Sequence, residues 1–417
     1  MIAQHILEEV VYEQFNTFTR KNIGTIREID FNYLTKSHLI TVLTGVRRCG
    51  KSTLLRQIAR FYSTFYYINF DDERLADFEI NDFRTLLLIF QKKQKSTVFF
   101  IDEIQMVEGW ERFVRRLFEQ ENKVYITGSN SKLLSSELST HLTGRYQKIE
   151  LYPFSFKEFL SFKNVKYSEP TSAKQAEILK TLDDYISKGG FPEYRALDDK
   201  EYLRLVYNDI IYRDLIVRFG IKNTKAFKQL SNYLFTNFTK ETSYNSLRKL
   251  FGISSPSTTS EYVSYLQQAY LLFECYKYDY SLKKQIVYNK KVYVIDTGLR
   301  SAIALNFSKN LGQNIENIVF LELKRRQKEV FFYKTKDHYE VDFIVHENPI
   351  KLIQVSYTML NIETANREKR ALISAMKELD LQKSIIITYN EESTIIERNK
   401  QIKIIPLWKF LINISYD

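Results

Sequence analysis

Cysteine, histidine, glycine and long apolar runs are all scarce in this chain of 417 residues, and each scarcity removes a class of protein. The two cysteines, Cys49 and Cys275, stand far apart in no C-x-x-C spacing, which excludes a disulfide framework and a zinc ribbon. Five scattered histidines offer no metal-ligand pattern. No uninterrupted apolar stretch reaches the ~18 residues of a membrane-spanning helix. Glu8 and Glu9 lie where a secretory leader would carry a basic and then an apolar stretch, so a cytoplasmic location is expected. There is no internal repeat, low-complexity tract or charged tail.

What is present is a globular composition, 44% hydrophobic and 27% charged, enough for several cores and, by length, roughly two to four domains. The net charge of +11 and a pI near 9.2 permit attraction to polyanions without identifying one.

The most informative segment is Gly45-Val46-Arg47-Arg48-Cys49-Gly50-Lys51-Ser52, which fits G-x-x-x-x-G-K-[ST]. With only 12 glycines in the chain, a chance match is rarer than in an average sequence. A β-branched apolar run at 39–44 precedes it, and helical spacing from Thr53 follows it. In that strand, loop, helix order the backbone N–H groups of residues 45–53 wrap a nucleotide's phosphates at a helix N-terminus. Lys51 then reaches the β and γ oxygens, and Ser52 offers its hydroxyl to Mg²⁺.

Thr97-Val98-Phe99-Phe100-Ile101-Asp102-Glu103 reads as a second strand ending in two carboxylates. In a doubly wound sheet Asp102 would emerge beside the phosphate loop to hold Mg²⁺, and Glu103 would orient and deprotonate the attacking water. An acidic pair at a strand end can equally cap a helix. A third strand at 123–127 breaks into Gly128-Ser129-Asn130-Ser131, where Asn130 or Ser129 is a candidate γ-phosphate sensor. Arg145, before the β-type stretch 146–152, is read as an arginine finger, within its own subunit or on a neighbour's nucleotide, or as a surface arginine in a structural pair.

Together with Trp110, Pro153-Phe154-Ser155-Phe156-Lys157-Glu158-Phe159, Gly189-Gly190-Phe191-Pro192-Glu193, Asp296-Thr297-Gly298-Leu299 and Glu340-Val341-Asp342-Phe343, these motifs resemble a family of prokaryotic ATPases. That family lies in the AAA-like branch of P-loop proteins and carries a DUF4143 C-terminal region. The resemblance spans nearly the whole chain. It implies ATP rather than GTP as the nucleotide, hydrolysis of that ATP, and a helical lid, a winged helix and a nuclease-like fold behind the ATPase core.

The residues themselves support parts of this outline. Residues 171–238 show helical stripes, Ala176, Leu179, Leu182, Tyr185 and Ile186 on one and Leu203, Val206, Tyr207, Ile210 and Ile211 on another, broken at Gly189-Gly190-Phe191-Pro192 by a hinge or a plain tight connection. Further on, 247–251, a Gly252 turn and a helix opened by a Thr258/Glu261 capping box read as helix-turn-helix, with two β-type stretches at 273–278 and 286–295 as a wing. The second helix has no lysine or arginine, so the module fits protein packing as well as DNA, with Lys283, Lys284, Lys290 and Lys291 left to grip a backbone. Glu316, Glu322, Asp342 and the strand 351–356 resemble the PD-(D/E)XK nuclease order. Gln354 and Ser356 stand where such a site needs a carboxylate and a lysine, leaving Lys334, Lys336 or Lys351 as substitutes or the domain as an inactivated scaffold.

The expected fold is therefore α/β: an N-terminal helix (1–28), a P-loop core with a parallel AAA/ASCE-type sheet (29–165), a helical lid (166–238), a winged helix (239–300) and a restriction-endonuclease-like α/β domain (301–417). The expected function is a Mg²⁺-dependent ATPase switch. The alternatives are a nucleic-acid-binding scaffold with ATP as a structural ligand and an ATP-gated DNA endonuclease. DNA, a second copy of the chain and a protein partner are the candidate partners.

Overall fold

The computed structural model describes residues 2–128, 142–167, 171–304 and 311–412. They fall into two units: residues 1–152 with Gln268–Tyr270, and the rest.

In the first unit, β1 (Ile40–Gly45), β2 (Tyr66–Asn69), β3 (Val98–Asp102), β4 (Lys123–Gly128) and β5 (Tyr146–Leu151) form one sheet in the order β2-β3-β4-β1-β5. Every pairing is parallel. Strands β1 and β3 are buried throughout, as expected where helices cover both faces and the strand sequence is continuously apolar. The flanking helices are α1 (Gln4–Arg20), α2 (Phe31–Lys36), α3 (Lys51–Ala59), α4 (Asp82–Lys93) and α5 (Trp110–Glu119). Helix α1 buries Leu7, Val10, Val11 and Phe18; its first three join the core formed by Phe83, Phe113, Ile101 and Val124. Phe18 stacks on Tyr67 of β2 with ring centroids 3.9 Å apart. Thus the N-terminal helix is an integral part of the first unit.

The second unit carries a mixed nine-stranded sheet, ordered β13-β14-β12-β11-β10-β9-β7-β8-β6. Its strands are β6 (Glu241–Thr242), β7 (Leu272–Lys277), β8 (Lys290–Val294), β9 (Val330–Lys334), β10 (Glu340–Val345), β11 (Lys351–Val355), β12 (Lys383–Thr388), β13 (Ser393–Glu397) and β14 (Lys400–Pro406). The stretches read as a wing, β7 and β8, continue into the strands of the C-terminal region through the parallel β7/β9 pair. Residues 286–287, expected to be extended, instead end the short helix Leu282–Val287. The second helix of the expected helix-turn-helix begins at Pro256, one turn earlier in its capping than Thr258 predicts: Ser255 Oγ accepts from Thr258 N at 3.0 Å.

The helical stripes form Ser172–Lys188, Pro192–Leu197, Lys200–Asp209 and Thr224–Thr236, with a π-helical run Ile210–Val217 between the last two. The Gly189-Gly190 break is a close-packed connection. Asp296, buried at the N-cap of the helix Thr297–Ile303, accepts from Gly190 N at 2.7 Å and Leu299 N at 2.8 Å. A side chain at Gly189 would meet that carboxylate at 2.2 Å, so glycine is required there by contact as well as by its φ of +68°.

Candidate functional site

Strand β1 delivers the chain into the loop 45–50, and α3 starts at Lys51 with Gly50 as its N-cap in a left-handed conformation. A Cβ on Gly45 would sit 2.1 Å from the carbonyl oxygen of Leu151 at the end of β5, so the loop can turn there only if that side chain is absent. Lys51 is 5% exposed, and its ammonium donates to Gly45 O at 3.1 Å and Val46 O at 3.3 Å. The cation is thereby held against the backbone of the loop itself.

Strand β3 lies one strand removed from β1, across β4, and ends at Asp102. This carboxylate is 1% exposed. Burial raises its pKa first, Glu103 next, and hydrogen bonds from Ser52 and Thr127 and the charge of Lys51 oppose them. Asp102 therefore lies near the Ser52 hydroxyl, although the two stand fifty residues apart in sequence. Tyr67 of β2 donates to the other carboxylate oxygen at 3.4 Å, and burial followed by Asp102's charge pushes its phenol well above the usual range. Glu103 has a positive φ of 51°, its N–H donates to Thr127 Oγ1 at 2.9 Å, and its carboxylate accepts from Gln105. The turn thus aims Glu103 differently from Asp102 while leaving the two charges close enough to repel.

The Ser52 hydroxyl and Asp102 carboxylate form an all-oxygen donor pair at the first turn of α3, which is the chemistry a hard divalent cation takes. Val46 is fully buried, Arg48 adopts a φ of 65°, and Arg47 and Thr53 complete the loop and the helix start. Cys49 is fully buried, and that burial raises its pKa despite Lys51 and Arg27 nearby. Desolvation of the thiolate outweighs these basic neighbours.

Arg145 lies elsewhere. Its carbonyl accepts from Ile40 N at 2.9 Å, and the next residue, Tyr146, pairs with Ile40. It therefore sits at the start of β1, whereas the phosphate loop follows the end of that strand, ~17 Å away at ~3.3 Å per residue. The structure does not bring Arg145 to the loop of its own chain. Asn130 and Ser129 lie outside the described residues.

Two contributors carry no sequence motif. Arg27, 6% exposed, donates to Cys49 O at 2.9 Å and Tyr152 O at 2.6 Å, tying the loop to the residue after β5. Tyr270, in the stretch Gln268–Tyr270 of the same unit, donates to Thr44 Oγ1 at 2.8 Å, one residue before the loop. A lone arginine and a lone tyrosine, far away in sequence, give no pattern to find them by.

In the second unit, the nuclease-like positions form a cluster around a lysine other than those expected. Lys291 of β8, 3% exposed, places its ammonium 3.2 Å from Glu316, 2.6 Å from Glu340 and 3.5 Å from Asp342. Burial would lower its pKa, but Glu316, Asp342 and Glu340 outweigh it. Gln354 accepts from Asp342 N at 3.1 Å and donates to Glu368 at 2.7 Å, and Ser356 donates to Thr358 O at 2.9 Å. Lys334 pairs with Glu241 and Lys351 with Glu347, so neither takes the central position. Among the described residues, no group of three or more His, Cys, Asp or Glu is arranged to hold a metal ion.

Residues 37–160 match a family described as an AAA domain, 179–310 a domain of unknown function, DUF8612, and 311–410 another, DUF4143. The chain is 39% identical to "Uncharacterized protein MJ1544" of Methanocaldococcus jannaschii, over 98% of this chain and 96% of that protein. It is 34% identical to an "Uncharacterized protein" of Haemophilus influenzae, over 76% of this chain and 82% of the other. Among solved structures, a variant of RuvB from Thermotoga maritima is similar at 18% identity, with a TM-score of 0.30, over 64% of this chain and 93% of that one. No helix among the described residues is long and apolar enough to cross a membrane.

Proposed function

Because the chain belongs to the prokaryotic family of AAA-type P-loop ATPases with a DUF4143 domain at the C-terminus, we propose that it is a Mg²⁺-dependent ATPase acting as a nucleotide-controlled switch. The observation that carries this reading is the meeting of Ser52 and Asp102 beside the buried Lys51. Three residues from two separate elements converge where a triphosphate's charge needs them.

In this reading, the amides of residues 45–53 bind the phosphates, and Lys51 exchanges its contacts to Gly45 O and Val46 O for the β and γ oxygens. Ser52 and Asp102 hold Mg²⁺, which when bound draws charge from the phosphates. Glu103 orients water and takes its proton, the one chemical task that hydrolysis leaves to a side chain. Arg145, at the far end of β1, has no part at its own chain's nucleotide in this reading. The route for a nucleotide signal is the chain itself: Tyr270 bonds Thr44 beside the loop and is continuous with the helix Pro256–Gln268 and with β7.

The test is phosphate release from ATP with Mg²⁺. Glu103→Gln keeps the shape and loses the base, so nucleotide binding should persist while turnover falls by roughly 10²- to 10⁴-fold. Near-normal turnover would remove Glu103 from its role.

A further inference from the structure

The positive charge of this chain is unevenly distributed. Residues 1–152 carry 21 Lys and Arg against 19 Asp and Glu, whereas residues 153–417 carry 40 against 31. The excess therefore belongs to the second unit, away from the phosphate loop that already accounts for one anionic ligand.

Within that unit a groove of about 720 Å³ is bounded by the segment after β7, by the end of β9 and by the β9–β10 turn. Four lysines line it, Lys277, Lys284, Lys334 and Lys336, against two carboxylates, Asp279 and Glu378. Lys334 is committed to Glu241. Lys284 stands 3.8 Å from Asp279, a loose pair on an exposed side chain that an incoming phosphate can replace. Lys277 covers the face of Tyr288 at 4.5 Å, a contact that leaves its charge in place. Both carboxylates also accept hydrogen bonds: Asp279 from Ser281 N at 2.8 Å, and Glu378 from Tyr333 OH at 2.7 Å and Lys336 N at 2.9 Å. With Lys334 committed to Glu241, three lysine ammonium groups face the two carboxylates, which leaves a net excess of one positive charge.

Aromatic surface accompanies the charge. Tyr280 is 86% exposed, and its ring stands 5.6 Å from that of Tyr278 in a T-shaped arrangement. A solvated tyrosine beside lysines has no role in a core. It offers a flat face on which an unpaired base can stack while the ammonium groups take the flanking phosphates. An acidic peptide would use the lysines and have no need of the ring, and a duplex would keep its bases stacked out of reach. The helix Pro256–Gln268, the second of the expected helix-turn-helix, carries no basic residue.

We propose that this groove binds a single-stranded nucleic-acid segment, with phosphates on Lys277, Lys284 and Lys336 and a base on Tyr280. The assignment goes beyond the ATPase reading and does not depend on it. The experiment is fluorescence anisotropy of a labelled oligothymidylate, about fifteen nucleotides long to span one binding site, with the full chain at several salt concentrations. Saturable binding that weakens with salt is expected, and Tyr280→Ala should weaken it roughly five- to a hundred-fold. A Lys277→Gln/Lys336→Gln variant should show a shallower salt dependence. Tyr280 is exposed, so thermal unfolding and ATP turnover of its variant should match the parent protein. Absence of saturable binding overturns the proposal. So does equal binding by the parent and both variants, or displacement of the oligonucleotide by polyglutamate with no effect of Tyr280→Ala, which would mark an acidic-peptide site.

Discussion

Lys291 illustrates how one side chain can decide the character of a region. Its ammonium stands among Glu316, Glu340 and Asp342, and burial raises the carboxyl pKa values of Glu316 and Asp342 even in its presence. Removing it leaves these carboxylates without their cation, a change that costs on the order of 3–5 kcal/mol for a buried pair. Lys291→Met should therefore lower the urea midpoint at about pH 7. The sign with pH follows from the raised folded-state values: protonated carboxyls favour the folded state, so the variant should recover stability as the pH falls towards about 5. A loss equal at both pH values would mean that the ammonium is not balancing those charges. Gly45 is legible in the sequence because the close approach of Leu151 O and a positive φ leave no room for a side chain. Lys291 and Arg27 are not, since their partners come from strands and loops that only the tertiary fold brings together.

Between elements, the tight join of the helices Ser172–Lys188 and Thr297–Ile303 rests on Asp296. Burial raises this carboxyl from the ordinary 3.8 to about 6, against the hydrogen bonds from Gly190 and Leu299 that favour its charge. Because the folded value is the higher, its contribution is fully present below about pH 4 and is lost as the pH rises through about 6. Chemical denaturation of the parent protein and Asp296→Asn at about pH 4 and about pH 7 should show the parent losing stability relative to the variant, by roughly 2–3 kcal/mol at about 1.36 kcal/mol per pKa unit. Parallel behaviour of the two proteins would remove Asp296 as the source. Helical periodicity announces these helices, and the paired glycines announce a turn. What forces that turn, a carboxylate from a residue 106 positions away, is invisible to any local pattern. The same limit explains the misplaced strand start at residue 286: its apolar residues suit a strand, yet 282–287 form a helix with no buried side chain.

Across the chain, the P-loop α/β core and the order of segments are easier to read from sequence than the way the segments group. Strands β7 and β8, readable as a separate wing, form one nine-stranded sheet with β6 and β9 to β14 because edge strands seek partners wherever the fold supplies them. Each unit thus has its own sheet and its own candidate ligand chemistry, a triphosphate in one and a cationic groove in the other. A nucleotide-controlled switch stands or falls with the first. Isothermal calorimetry of the full chain with Mg²⁺ and a nonhydrolysable ATP analogue is the decisive experiment. Saturable binding near one nucleotide per chain is expected, weakened about ten-fold or more in Lys51→Ala with the fold retained, as loss of a charge-assisted contact of ~1.5–3 kcal/mol requires. No saturable heat from the folded parent protein, or an unchanged affinity in Lys51→Ala, would contradict it.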